Sequence, residues 1–91
     1  MDIKTNTKYM KEAFIMIEVQ ISLNSIDKVK SFVNAITQFD FDFDLISGRY
    51  VIDAKSIMGI FSLDLSKPID LKIHAEEGKE EVMEVIKPYL V

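Results

Sequence analysis

Ser56 is the residue whose type and position point most directly to chemistry. It stands between a strand-like segment and an apolar helical turn in the run DAKSIMGIFSL, residues 53–63. A serine in this position accepts a hydrogen bond from an unpaired backbone N–H, and the helix end that it covers also attracts anions. Ser56 is therefore predicted to be a helix N-cap, and the same position suits a phosphoryl group. A purely structural cap flanked by core residues is the alternative.

Two other sets of titratable residues look like chemical sites and have simpler explanations. His74 is the single histidine, and the sequence contains no cysteine, so metal binding is poorly supported. The alternation around His74 predicts a solvated strand residue without a functional role. Asp40, Asp42 and Asp44 recur with a period of two, which predicts the wet face of one strand and not a calcium loop. We expect neither a metal nor a cofactor.

Composition excludes several classes of protein. The 91 residues are 48% hydrophobic, which predicts one domain with one modest core. A net charge of −4 argues against nucleic acid as the main partner. No apolar run approaches the roughly twenty residues of a membrane span, and no signal peptide is recognisable. Without cysteines nothing points to an oxidising compartment, so we expect a cytoplasmic protein.

Hydrophobic periodicity predicts the elements that must position these residues. Alternation predicts a first strand through Ile17, Val19 and Ile21, and three more over Phe39–Leu45, Tyr50–Ala54 and Ile69–Ala75. Helical spacing predicts a first helix with the apolar stripe Ile26, Val29, Phe32, Val33 and Ile36, and a last helix with the stripe Val82, Val85, Ile86 and Tyr89. A short second helix begins at Ser56, and Ser47-Gly48-Arg49 predicts a hairpin turn.

The predicted order is β-α-β-β-α-β-α, with polar residues along one face of every strand. Such strands belong to an α+β protein whose sheet is covered by helices on one side only, an open-faced β-sandwich. Residues 1–12 show no clear periodicity and are predicted to be an N-terminal extension. Residues 13–91 are predicted to form the domain.

The segment Lys55-Ser56-Ile57-Met58-Gly59, followed by Ser62-Leu63, resembles the regulatory-serine segment of HPr. HPr is the small phosphocarrier of the bacterial phosphoenolpyruvate:sugar phosphotransferase system (PTS). Its order of elements is the one predicted here, and the resemblance extends from about Ile15 to the C-terminus. It implies an HPr-like domain with a four-stranded antiparallel sheet and three helices on one face.

The HPr resemblance also shows what is missing from this chain. HPr carries its phosphoryl group on a histidine at the start of the first helix, in a His-x-Arg-Pro context. Counting back from Phe39-Asp40 places Ser25, or Asn24 if the loop slips by one residue, at the histidine position, and Asp27 near the arginine position. A serine ester is too stable to pass its phosphoryl group on as phosphohistidine does. Relay is therefore predicted to be lost, and the protein is predicted not to be an enzyme.

At Ser56 the resemblance implies phosphorylation by an ATP-dependent kinase. In HPr proteins of low-GC Gram-positive bacteria the surface around this serine then docks on a transcriptional regulator of catabolite control, and Lys55, Ile57, Met58 and Phe61 match that surface. Protein partners of these two kinds, an HPr kinase/phosphorylase-like kinase or a regulator, are therefore expected. The spacing of Ile57, Ile60 and Phe61 equally suits a core stripe kept for packing alone.

The sequence predicts a non-catalytic regulatory or interaction protein related to the PTS, controlled at Ser56. Two alternatives stay open. One is an active phosphocarrier that uses an unexpected acceptor. The other is a scaffold that binds without phosphorylation, through Ile57, Met58 and Phe61 or through the open face of the sheet.

Overall fold

The computed structural model describes residues 15–75 and 77–91, in which four strands and three α-helices are formed. The strands are β1 (Ile15–Ile21), β2 (Phe43–Ser47), β3 (Tyr50–Asp53) and β4 (Ile69–Ala75). The helices are α1 (Ile26–Thr37), α2 (Ile57–Phe61) and α3 (Lys79–Ile86), and a 3-10 helix over Lys87–Tyr89 follows α3. The predicted order of elements is confirmed. The predicted extension, residues 1–12, and the predicted domain start at residue 13 lie outside the described residues.

The strands form one antiparallel sheet in the order β1-β4-β2-β3. β4 lies inside the sheet, where Ile73 pairs with Ile17 of β1 and with Phe43 of β2. β2 and β3 form the predicted hairpin, and Gly48 in its turn has a φ of +61°. This left-handed conformation is open to glycine without steric penalty, which explains why the turn contains one.

The core lies between one face of the sheet and the helices. Along β4 every second side chain is buried, from Ile69 to Ala75, while the residues between them are partly or fully exposed. This is the pattern of an antiparallel sheet with one covered face. The largest fully buried side chains come from strands, loops and all three helices: Phe32, Phe43, Ile21, Leu23, Ile36, Leu45, Ile60, Leu71, Ile73, Ile86, Val29 and Val82. The predicted open-faced β-sandwich is confirmed.

The predicted second strand, Phe39–Leu45, is wrong over its first half, because β2 begins at Phe43. The Phe39 N–H donates to the Ile36 carbonyl at 3.1 Å, which continues the end of α1 into the loop. The carbonyls of Phe39 and Phe41 accept hydrogen bonds from the Lys55 ammonium group at 2.6 and 3.0 Å. Alternation still governs the side chains, since the ring of Phe41 stacks on that of Phe43 with a centroid separation of 5.3 Å.

Ile26 was expected in the buried stripe of the first helix, and this expectation is also wrong. Its side chain is 61% exposed, whereas Val29, Phe32, Val33 and Ile36 are buried. Ile26 has the spacing of the buried stripe, but it is the first residue of α1 and lies at the end of the helix. An apolar side chain is thereby presented at the surface.

The last residues of the chain pair with the end of β1, where Ile21 forms a bridge with Leu90. The Ser22 N–H donates to the Tyr89 carbonyl at 2.8 Å, and the Val91 N–H donates to the Gln20 carbonyl at 3.2 Å. Tyr89 is buried, and its ring packs edge to face on Phe32 at 5.3 Å. Within residues 15–75 and 77–91, no helix is both long and apolar enough to cross a membrane.

Candidate functional site

Ser56 is the N-cap of α2, as predicted. Its backbone is extended, with a φ of −99°, and its Oγ accepts a hydrogen bond from the Gly59 N–H at 3.1 Å. Asp53 organises the approach to this cap, because its carbonyl accepts from the Ser56 N–H at 3.0 Å and its Oδ1 accepts from the Lys55 N–H at 2.9 Å. The end of β3 and the start of α2 therefore form one hydrogen-bonded unit around the serine.

Gly59 allows α2 to lie directly on β3. A Cβ atom added to Gly59 would lie 2.6 Å from the Cγ2 atom of Ile52 and 3.2 Å from the Oγ atom of Ser56. Real Cβ atoms do not approach other atoms as closely as the first of these distances, so any side chain here would push the helix away from the strand. The glycine in the Lys55–Gly59 segment thus has a packing role.

The four residues predicted to bind a partner lie in different environments. Met58 is 79% exposed and Phe61 is 40% exposed, so both present apolar surface to solvent. Ile57 is partly buried against the core. The Lys55 ammonium group is directed to the carbonyls of residues 39 and 41 and lies 5.6 Å from the centroid of the Phe43 ring. The structure thus leaves Met58 and Phe61 as the apolar contact surface of α2, and the binding roles of all four residues remain predictions.

Ser25, the residue predicted at the position of the HPr histidine, is the N-cap of α1. Its backbone is extended, with a φ of −151°, and its Oγ accepts a hydrogen bond from the Lys28 N–H at 3.1 Å. Asp27 adds a carboxylate to the first turn of the helix. Asn24, the alternative position, precedes the cap and is exposed.

A shallow groove lies between the start of α1 and the end of α2. It has a volume of about 530 Å³ and is lined by Asn24, Ser25, Ile26, Phe61, Leu65 and Ser66. Asp64 orders the loop on one side, where its Oδ1 accepts from the Ser66 hydroxyl at 2.6 Å and from the Ser66 N–H at 3.1 Å. These two hydrogen bonds hold the pKa of Asp64 below its usual value. Ser56 lies at the other end of α2 and does not line this groove.

His74 lies on the open face of the sheet, as predicted, but is not simply solvated. Its Nε2 atom is 2.9 Å from the Oδ2 atom of Asp44 on the neighbouring strand β2, and the two side chains are 36% and 32% exposed. Asp40 and Asp42 are exposed. Among the residues that the structure describes, no three or more His, Cys, Asp or Glu side chains are grouped so that they could hold a metal ion.

Sequence reasoning missed two of these features. The His74–Asp44 pair depends on the register between β2 and β4, which the alternation of neither strand reveals. The groove depends on Ile26 and on the loop over Leu65 and Ser66, which come together only in the folded chain. The one available signal for the groove was Ile26, the apolar residue directly after the capping Ser25.

The strand order and the helices packed on one face of the sheet define an α+β open-faced β-sandwich. The family model described as the PTS HPr component phosphorylation site matches residues 27–90, and the chain belongs to this family. The matched range begins two residues after Ser25.

A solved structure is also similar, the phosphocarrier protein HPr from Bacillus anthracis str. Ames. The two chains are 28% identical and superpose with a TM-score of 0.60, over 87% of this chain and 99% of the HPr chain. No curated protein matches the sequence.

Proposed function

We propose that this HPr-family protein is a non-catalytic regulatory or interaction protein related to the PTS, which has lost phosphohistidine relay and is controlled by phosphorylation at Ser56. The observation that carries the proposal is the identity of the α1 cap. Ser25 occupies it, while the single histidine of the sequence, His74, lies on β4 and pairs with Asp44 across the open face. No imidazole therefore stands at the start of the first helix.

The chemistry at the start of α1 is unsuited to a phosphoryl carrier. A carrier needs a nitrogen nucleophile with a pKa near neutrality and a bond that is readily cleaved, which imidazole supplies and a hydroxyl does not. Asp27 lies in the first turn, so its charge would repel a phosphoryl anion there. The Lys28 side chain follows it and would offset this repulsion only in part.

Ser56 is better suited to modification than to relay, because a stable phosphoserine ester is what a switch requires. Phosphorylation adds about −1.5 to −2 charges next to the exposed side chain of Met58, so it changes the surface that a partner would meet. The Lys55 ammonium group already binds two carbonyls, so the amides at the start of α2 are the donors we expect for the phosphoryl oxygens.

The expected partners are proteins. Members of the HPr family interact with other proteins of the PTS, and we extend that property to this chain through Met58 and Phe61. A kinase of the HPr kinase/phosphorylase type would modify Ser56, and a transcriptional regulator would bind the modified surface. Both steps would take place in the cytoplasm.

The test is incubation with ATP and an HPr kinase/phosphorylase, followed by measurement of the intact mass. We expect the wild-type chain to gain one phosphoryl group and Ser56→Ala to gain none. Ser62→Ala is the matched control, because Ser62 is exposed at the other end of the same helix, and it should be modified like the wild type. A wild-type chain that gains no mass, or a gain that persists in Ser56→Ala, contradicts the proposed switch.

A scaffold that binds without phosphorylation is the second candidate, and exposed apolar side chains on α2 and at the start of α1 favour it. Met58, Phe61 and Ile26 are 79%, 40% and 61% exposed. Partner capture that is unchanged in Ser56→Ala and lost in Met58→Asp would support this candidate over the switch. Met16→Asp is the matched control, since it makes the same substitution at a residue that is 52% exposed on β1.

A further inference from the structure

β3 forms an edge of the sheet with unusually apolar surface. In the order β1-β4-β2-β3 it has only β2 beside it among the described strands. Tyr50 and Val51 on this strand are 64% and 65% exposed, and Arg49 and Asp53 next to them are also exposed. An edge strand of this kind is a template for pairing with another strand.

The hydrogen-bonding phase of the hairpin decides which groups of β3 point outward. The Ala54 N–H donates to the Phe43 carbonyl at 2.9 Å, so Ala54 belongs to a pair that bonds inward to β2. In an antiparallel ladder, residues whose N–H and carbonyl bond to the partner strand alternate with residues whose N–H and carbonyl point away from it. Tyr50 and Ile52 therefore also bond to β2. The N–H and carbonyl of Val51 therefore point away from the sheet.

We propose that β3 pairs with β3 of a second copy of this chain, antiparallel about a two-fold axis that passes beside Val51. The outward N–H of each Val51 would donate to the carbonyl of the other Val51. This register sets Arg49 of each copy opposite Asp53 of the other, and Tyr50 opposite Ile52. Opposite charges facing each other across two strands stabilise their pairing.

Neighbouring registers lack this complementarity. A shift by two residues in one direction sets Val51 opposite Asp53 and places Arg49 opposite Lys55, which are like charges. The opposite shift sets Val51 against Arg49 and leaves Asp53 opposite Ser47. The Asp53 carbonyl already accepts the Ser56 N–H at 3.0 Å, so the two Val51 residues at the axis are expected to make the main hydrogen bonds of the ladder.

The strand has only four residues, so the interface is smaller than the roughly 1,200 Å² at which standard complexes begin. Association is therefore expected to be reversible and to depend on concentration. The proposal does not depend on phosphorylation at Ser56, and it goes beyond the proposed function.

Sedimentation equilibrium of the full chain between about 10 µM and about 1 mM tests the proposal. We expect the average mass to rise from monomer towards dimer over this range. Val51→Lys sets two ammonium groups against each other at the axis, and Arg49→Asp sets two pairs of carboxylates against each other. Each variant should weaken dimerisation at least tenfold. Met16→Lys makes the same charge change as Val51→Lys at a 52% exposed residue of the far strand β1 and should leave dimerisation unchanged.

Nuclear Overhauser contacts in a mixture of isotope-labelled and unlabelled chains locate the interface. We expect intermolecular contacts confined to residues 49–53. A chain that stays monomeric up to 1 mM overturns the proposal, whether the edge remains unpaired or accepts an extended segment of another protein. A dimer that survives Val51→Lys, or whose contacts lie elsewhere, overturns it as well.

Discussion

Ser25 and Ser56 make the same capping hydrogen bond in different surroundings. Each hydroxyl accepts from the N–H three residues later, at 3.1 Å in both cases. The Ser25 cap is followed by an acidic residue, Asp27, and stands beside the groove, whereas the Ser56 cap is followed by the exposed apolar residue Met58. We therefore predict that a phosphoryl group would be repelled at the first position and would lie beside an exposed apolar surface at the second.

The Ser56 cap can be measured through stability. Ser56→Ala leaves the Gly59 N–H without its partner, so we expect the free energy of unfolding in urea to fall by about 1 kcal/mol. Ser56→Asp is the matched control, because aspartate caps helices as well as serine and should keep stability close to the wild type. Equal stability of Ser56→Ala and the wild type would show that the hydroxyl does not cap the helix.

Residue types alone predicted the Ser56 cap, because serine before an apolar helical turn has a specific local role. Long-range partners could not be predicted in this way. Lys55 binds two carbonyls that are 14 and 16 residues away along the chain, and His74 binds Asp44, 30 residues away. Such contacts depend on how the elements pack, which no local pattern encodes.

At the scale of elements, α2 illustrates how one small residue sets a packing distance. The helix has five residues and lies on β3 because Gly59 has no side chain to meet Ile52. The same contact keeps the Ser56 cap in place, since Gly59 supplies the N–H that the serine accepts. Packing and capping of α2 are therefore linked.

Gly59→Ala should destabilise the domain, because its methyl group would lie 2.6 Å from the Ile52 Cγ2 atom. We expect a loss of about 1–3 kcal/mol in the free energy of unfolding, as is typical of overpacking. Ile52→Ala removes the opposing atom, so the double variant should lose less than the sum of the two single variants. Additive losses in this double-mutant cycle would mean that the two residues do not collide.

The start of β2 shows where periodicity is ambiguous. Phe39, Phe41 and Phe43 alternate with aspartates, which is the pattern of a strand, and their rings do stack on one side. The backbone before Phe43 nevertheless bonds mainly to the end of α1 and to Lys55, and of residues 39–42 only the Asp42 carbonyl reaches β4, where it accepts from the His74 N–H at 2.9 Å. The alternation correctly indicated that the phenylalanine rings share one side. It could not indicate which groups the backbone hydrogen-bonds to.

For the whole molecule, chain order and polar strand faces were sufficient to predict the open-faced architecture. The strand order β1-β4-β2-β3 was not predictable from periodicity, because alternation fixes which face is buried and not which strand is adjacent. That order matters for function. It puts β3 at the edge of the sheet and sets His74 beside Asp44, far from the start of α1 in the chain.

The central claim is that this HPr-family protein does not relay phosphoryl groups, and phosphotransfer from phosphoenolpyruvate tests it directly. The protein is incubated with phosphoenolpyruvate and the first enzyme of the PTS, with a histidine-containing HPr as the positive control, and acid-labile phosphate is measured by intact mass. We predict that the control is labelled and that this protein gains no phosphoryl group. An acid-labile phosphoprotein, formed at His74 or at any other acceptor, would contradict the account and make the chain an active carrier.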